Sequence, residues 1–262
     1  MAARALLPPL VADAVRDTLD VALPKALPVP WHGATFDERT ALLERGWDDA
    51  PRHKIGTRTR IDPFVKDAFE LLAHPHVSVE LVVGDVSARR DDSAIAVTDG
   101  GFALVARYDE RGLMLEAVRP TGLASALVGL LPRHPAGRGL SASAPTTVLN
   151  AAAAKTGLHP AALEREIAYG GVRRKDAEVI AAVLTAPRLR TGQLCATGFE
   201  QHGGKGHVVE LQVGFVDTDA GRYLTQDEPS ENGNHLTIAP ADDGRLVERI
   251  DELIRQAYEL RG

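Results

Sequence analysis

The residues with the most chemical potential lie in the stretch FVDTDAGRYLTQ (215–226), where Asp217, Asp219 and Arg222 surround a glycine between two apolar runs. Two carboxylates and a guanidinium at that spacing would supply a general acid, a general base and an anion clamp for a hydrolase or another small-ligand enzyme. The same letters also describe a hairpin tip, because an Asp side chain bonds nearby backbone and Gly supplies φ > 0. The histidines offer two metal candidates, His74 with His76 and His202 with His207. The first pair lies at a helix end, the second flanks a Gly-rich loop with no carboxylate at ligand spacing, and no His-x-x-x-His occurs on one helical face. GGKGH (203–207) lacks the spacing of a phosphate-binding loop, and GRGLSAS (137–143) lacks the Gly-x-Ser-x-Gly elbow. No cofactor motif is present, so the residues imply a non-enzyme that works by binding.

Composition narrows the classes further. The 262 residues carry a net charge of −6, which speaks against a general nucleic-acid binder. The single cysteine, Cys195, excludes an intrachain disulfide framework, and its apolar surroundings suggest a buried small side chain. Prolines and charges interrupt the N-terminal stretch MAARALLPPLVADAVRD before an apolar signal core forms. No run approaches the roughly 20 apolar residues that span a bilayer. The expectation is a soluble protein of a reducing compartment.

Pattern and punctuation then place the elements. PPLVADAVRDTLDVAL has the apolar spacing of an amphipathic helix, and TFDERTALLERGW opens on a capping box, Thr35 to Glu38, and closes at Gly46. DAPRHKIGTRTR reads as a surface loop. DPFVKDAFELLAHP (62–75) is a helix capped by Asp62, with Pro63 in its first turn. Four strands follow, VSVELVVGD, SAIAVTD, FALVARYD and LMLEAVRP, and then a short helix, TGLASALVGLLP. Residues 139–186 read as helical pieces broken at Gly157, Pro160 and Gly170–Gly171. Strands resume with GQLCATGFE, VVELQVGFVD, RYLTQ and HLTIAP, before a final amphipathic helix from Leu246 to Tyr258.

The two halves share one layout: a helix, four strands and a helix. Asp99 and Asp219, Gly101 and Gly221, and Pro120 and Pro240 all stand 120 residues apart. This suggests a duplication covering 62–131 and 176–260, joined by the connector 139–186 within one domain of 1–262. In that register Phe102 occupies the place of Arg222, which favours a turn over an active site for the opening stretch. Strands 77–83 and 208–216 alternate, with Val77, Val79, Leu81 and Val83, and Val209, Leu211, Val213 and Phe215, on their apolar faces. The opposite, mixed face holds Glu80, Glu210 and Gln212, with Glu116 assigned to it as well. It is the candidate partner surface, together with Arg222 and the charged tip ARRDDS that contains Arg89 and Arg90.

Over nearly its whole length the chain resembles the EspG family of type VII (ESX) secretion chaperones of actinobacteria. The likeness rests on HGATFDERTALLERGW, IDPFVKDAFELLAHPHVSVEL, LVGLLPRHPAGRGLSASAPTTVL, DTDAGRYL and LTIAPADDGRLVERIDELI, in that order. The resemblance implies an α+β fold with a central antiparallel β-sheet, flanking helices and pseudo-two-fold design. It also implies a cytosolic, non-catalytic protein, a monomer or homodimer when free, that covers the apolar tip of a PE–PPE heterodimer or of a PPE-like or WXG-type helical hairpin. In the family, partner contacts fall on the sheet and the C-terminal helical part.

Overall fold

The computed structural model describes residues 3–86, 90–200, 204–231 and 233–261. In the first half, helices form where caps and apolar spacing coincide. Helix α1 (Pro9–Leu19) begins on a proline and ends at Asp20 in the left-handed region. Helix α2 (Phe36–Asp49) starts at Thr35, whose hydroxyl accepts from the Glu38 N–H at 3.2 Å, while the Glu38 carboxylate accepts from the Ala34 N–H. Gly46 does not close this helix as its sequence context suggested. It lies inside α2, where a Cβ would stand 2.7 Å from the Leu10 carbonyl oxygen, so the glycine lets α1 and α2 approach closely. Helix α3 (Pro63–Ala73) is capped by Asp62 through the Val65 N–H.

From α3 the chain runs into a four-stranded antiparallel meander, β4 (Val77–Asp85), β5 (Arg90–Thr98), β6 (Ala103–Asp109) and β7 (Gly112–Val118), and then helix α4 (Leu123–Val128). Strand β1 (Arg4–Leu7) adds to the β7 edge. It is too short to show periodicity in the sequence and is held by one fully buried residue, Leu7. The basic loop before α3 contains a two-residue hairpin, β2 (Gly56–Thr57) with β3 (Arg60–Ile61).

The second half has a similar order of elements. Helices α5 (Thr146–Thr156), α6 (Pro160–Tyr169) and α7 (Arg174–Thr185) precede β9 (Arg188–Phe199), β11 (Gln212–Thr218), β12 (Gly221–Glu228) and β13 (His235–Pro240). Helix α8 (Asp243–Glu259) closes the chain. Strand β10 (Gly206–Val208) pairs with β9, and residues 209–211 interrupt what the sequence suggested was one strand. Residues read as helical also contain a strand, β8 (Ala142–Pro145), which pairs with β13. The sheet order is β1-β7-β6-β5-β4-β9-β11-β12-β13-β8, and β4 and β9 meet antiparallel at its centre.

Side-chain alternation sends the sheet's two faces to different cores. Val77, Val79 and Leu81 of β4, Leu194 of β9 and Val213 and Phe215 of β11 pack under α4 and α8. On the reverse face, Ile95, Val97, Leu104 and Leu115 are covered by α1, α2 and α3, and Ala144, Tyr223 and Ile238 by α5, α6 and α7. The outer strands are thus buried on both sides, which explains their nearly unbroken apolar runs. Among the described residues the reverse face of the central strands leaves Val82, Gln193, Cys195 and Gln212 exposed.

Helix α8 reaches the sheet over Gly198, where an added Cβ would stand 1.9 Å from the Ala257 carbonyl oxygen. Gly198→Ala is therefore expected to cost about 1–3 kcal/mol by overpacking, read as a lower urea midpoint. Gly244→Ala, which meets only the Asp242 carboxylate at 3.4 Å in the first turn of α8, should show no such loss.

Candidate partner-binding groove

The uncovered face of β4, β9 and β11 forms the floor of a groove of about 1150 Å³. The parity that buries Leu194 and Ala196 turns Gln193 and Cys195 outward, and the parity that buries Val213 and Phe215 turns out Gln212. Val82 contributes from β4, Val208 and Glu210 from β10 and the bend after it, and Thr225 and Asp227 from β12. Leu236 and Asn234 mark the side nearest the second half's helices. The floor mixes exposed valines with amides and carboxylates, and it is open to solvent.

Cys195 is exposed, which corrects the expectation of a buried residue. It follows the outward parity of β9, and the apolar letters beside it belong to the opposite face. Contact with the sheet, and then the Glu80 carboxylate, push its thiol pKa up, so the group stays protonated and weakly nucleophilic at neutral pH.

The residues expected to share one face do not all do so. Glu80 and Gln212 stand on the groove side, and Glu210 is exposed in the bend between β10 and β11. Glu116 lies toward the opposite face, paired across the sheet with Val105 and Arg4 and 3.9 Å from the Arg4 guanidinium. Arg89 lies outside the described residues, as does the side chain of Arg90.

Arg222 supplies no surface at all. It is fully buried, which overturns the reading of it as a partner-contact residue or a solvated strand edge. Its Nε and Nη2 donate to the two oxygens of Asp217 at 2.7 and 3.0 Å, and Nη2 also reaches the Pro132 carbonyl at 3.0 Å. The guanidinium lies 4.7 Å over the Phe215 ring, and Asp217 takes a second cation, Arg190, at 3.1 Å. Asp217 is therefore a buried strand residue facing Arg222 across the β11–β12 pair, while Asp219 sits exposed in the turn. The would-be acid and clamp are spent on each other, and they do not line the groove. Among the described residues no group of histidine, cysteine, aspartate and glutamate is arranged to hold a metal ion. His207 pairs with Glu200, and His202 lies outside the described residues.

The strand pairing also shifts the comparison of the halves by one residue. Thr98 faces Ala103 in the first hairpin as Asp217 faces Arg222 in the second, so Ala103, not Phe102, stands where Arg222 does. The side chains support this, since Ala103 and Arg222 both point toward the α4–α8 side while Phe102 packs with the α1–α3 core. A one-residue slip exchanges the faces of a strand, which is why letters matched at 120 misplaced the counterpart.

One antiparallel sheet with helices on both faces and an open groove over its central strands defines an α+β fold. The chain belongs to the EspG family, whose sequence model matches residues 8–252. No curated protein sequence matches it. Among solved structures it is similar to the type VII secretion system chaperone EspG5 of Mycobacterium tuberculosis in complex with the PE25–PPE41 dimer. The TM-score is 0.73 at 10% identity, covering 98% of this chain and 96% of that one. At that identity the likeness is one of fold. Among the described residues no helix is long and apolar enough to cross a membrane.

Proposed function

We propose that this protein is a cytosolic, non-catalytic chaperone of type VII secretion. Its client is a PE–PPE dimer, or a PPE-like or WXG-type helical hairpin, whose apolar tip it shields before export. The observation that carries the reading is the open central strip of the sheet: a groove of about 1150 Å³ in which exposed valines stand among amides and carboxylates. Family membership and the fold shared with EspG5, solved with PE25–PPE41, support the same conclusion. We assign Glu80, Glu210 and Gln212 to the contact surface. We also read 62–131 and 176–260 as copies of one unit within a single domain, supported by the strand order that runs alike from each edge to the β4–β9 pair.

Co-expression with PE–PPE or WXG-type pairs from the same genome, followed by size-exclusion chromatography, tests the proposal; separate elution of every pair would sink it. A groove variant sharpens the test. Gln193→Trp fills the floor from an exposed position and is expected to weaken client binding at least about tenfold, a hot-spot-sized effect, with unchanged thermal stability. Wild-type affinity in that variant would remove the client from the groove.

A further inference from the structure

Among the described residues the groove carries more acid than base. Asp91, Glu210 and Asp227 line it beside Arg188, and Glu80 stands next to them in register with Cys195. Elsewhere this chain matches its carboxylates: Asp13 with Arg16 and Arg39, Asp109 with Arg111, Glu166 with Lys155, Asp217 with Arg190 and Arg222. Among the described residues no Lys or Arg pairs with Glu80, Asp91 or Glu210. Among the described residues Asp227 accepts from neutral donors, Thr146 Oγ1 at 3.0 Å and Asn234 Nδ2 at 3.2 Å. Between these acids Val82 and Val208 are 39% and 58% exposed. A cleft with an excess of one sign of charge focuses its field and favours partners of the opposite sign.

We propose that the groove selects, among helical-hairpin clients, those whose inserted tip is apolar at its centre and basic around it. Lysine or arginine side chains of the tip meet Glu80, Asp91, Glu210 and Asp227, while its apolar residues rest on Val82 and Val208. This rests on the chaperone reading above and specifies which client satisfies it.

The test uses the full chain and a PE–PPE pair that co-elutes with it. Raising NaCl from about 50 to 500 mM shortens the screening length severalfold and is expected to weaken binding at least about tenfold, mainly through the association rate. The double variant Asp91→Lys with Glu210→Lys should lose about as much, and turning basic residues of the client tip to glutamate should restore binding to it. Both substituted side chains are exposed, and an unchanged elution volume and circular dichroism spectrum confirm folding. Affinity indifferent to salt and to charge reversal, or a binding pair with an acidic tip, overturns the proposal. If Val208→Asp still abolishes binding in that case, the chaperone reading survives without it. Should no PE–PPE or WXG-type pair bind even at low salt, both fall.

Discussion

Arg222→Met is expected to lower the free energy of unfolding by about 3–5 kcal/mol, because it removes one partner of a buried ion pair and leaves the other desolvated. Both side chains of the pair are inaccessible, so water cannot replace the lost bonds. The variant leaves Asp217 with Arg190 alone and forfeits the bond to Pro132 that ties the linker after α4 to the sheet. For a chain of this size the loss corresponds to a Tm lower by roughly 6–15 °C. Asp217→Val should be as harmful, since it strands a guanidinium whose Nη1 already has no hydrogen bond and lies 3.6 Å from the exposed Asp243. The double variant Asp217→Val with Arg222→Met is expected to be clearly milder than the sum of the singles, because both charges leave together. Chemical denaturation of the four proteins checks the cycle. Additive losses would mean that the pair does not act as a unit.

That pair also marks where the sequence was legible and where it was not. Helices capped by Thr35 and Asp62, the meander of β4 to β7 and the stripe of α8 follow from spacing and turn residues, which are local properties. Arg222 was illegible because its burial is set by the loop at Pro132 and Pro135, some 90 residues away, which closes over it. An arginine beside a turn looks solvated unless that loop is known to return. Cys195 and Gln193 were misjudged or missed for a related reason. The run GQLCATGF alternates between a covered and a bare face, and only knowledge of where α1–α3 and α5–α7 stop distinguishes the two. The groove is defined by an absence of cover, to which no residue pattern corresponds. Of the expected contact residues Glu210 and Gln212 line it and Glu80 stands beside it, whereas Asp91, Val82, Val208 and Asp227 come together through the antiparallel β4–β9–β11–β12 pairing.

Asp13→Asn should show the second large loss, about 2–4 kcal/mol at neutral pH, from the same cause as the first pair. The carboxylate is fully buried beneath the α1–α2 connection. It accepts from the His32 N–H and ring at 2.9 Å each, pairs with Arg39 at 3.3 Å and with Arg16, and so fastens the proline-rich segment that leads to Trp31. Trp31 lies over the Arg39 guanidinium at 3.4 Å, so the network also fixes that exposed aromatic. Burial by itself would raise the Asp13 pKa; the bonds from His32 and Arg39 and the charge of Arg16 outweigh it and hold the carboxyl below its ordinary value. A depressed folded pKa makes this stabilisation complete above the unfolded value of about 3.9 and withdraws it as pH falls through the lower folded value. The gap in urea midpoint between wild type and Asp13→Asn is therefore expected to be constant from pH 5 upward and to narrow below about pH 4. A gap that persists undiminished in acid would assign the loss to packing and remove the charge network as its source.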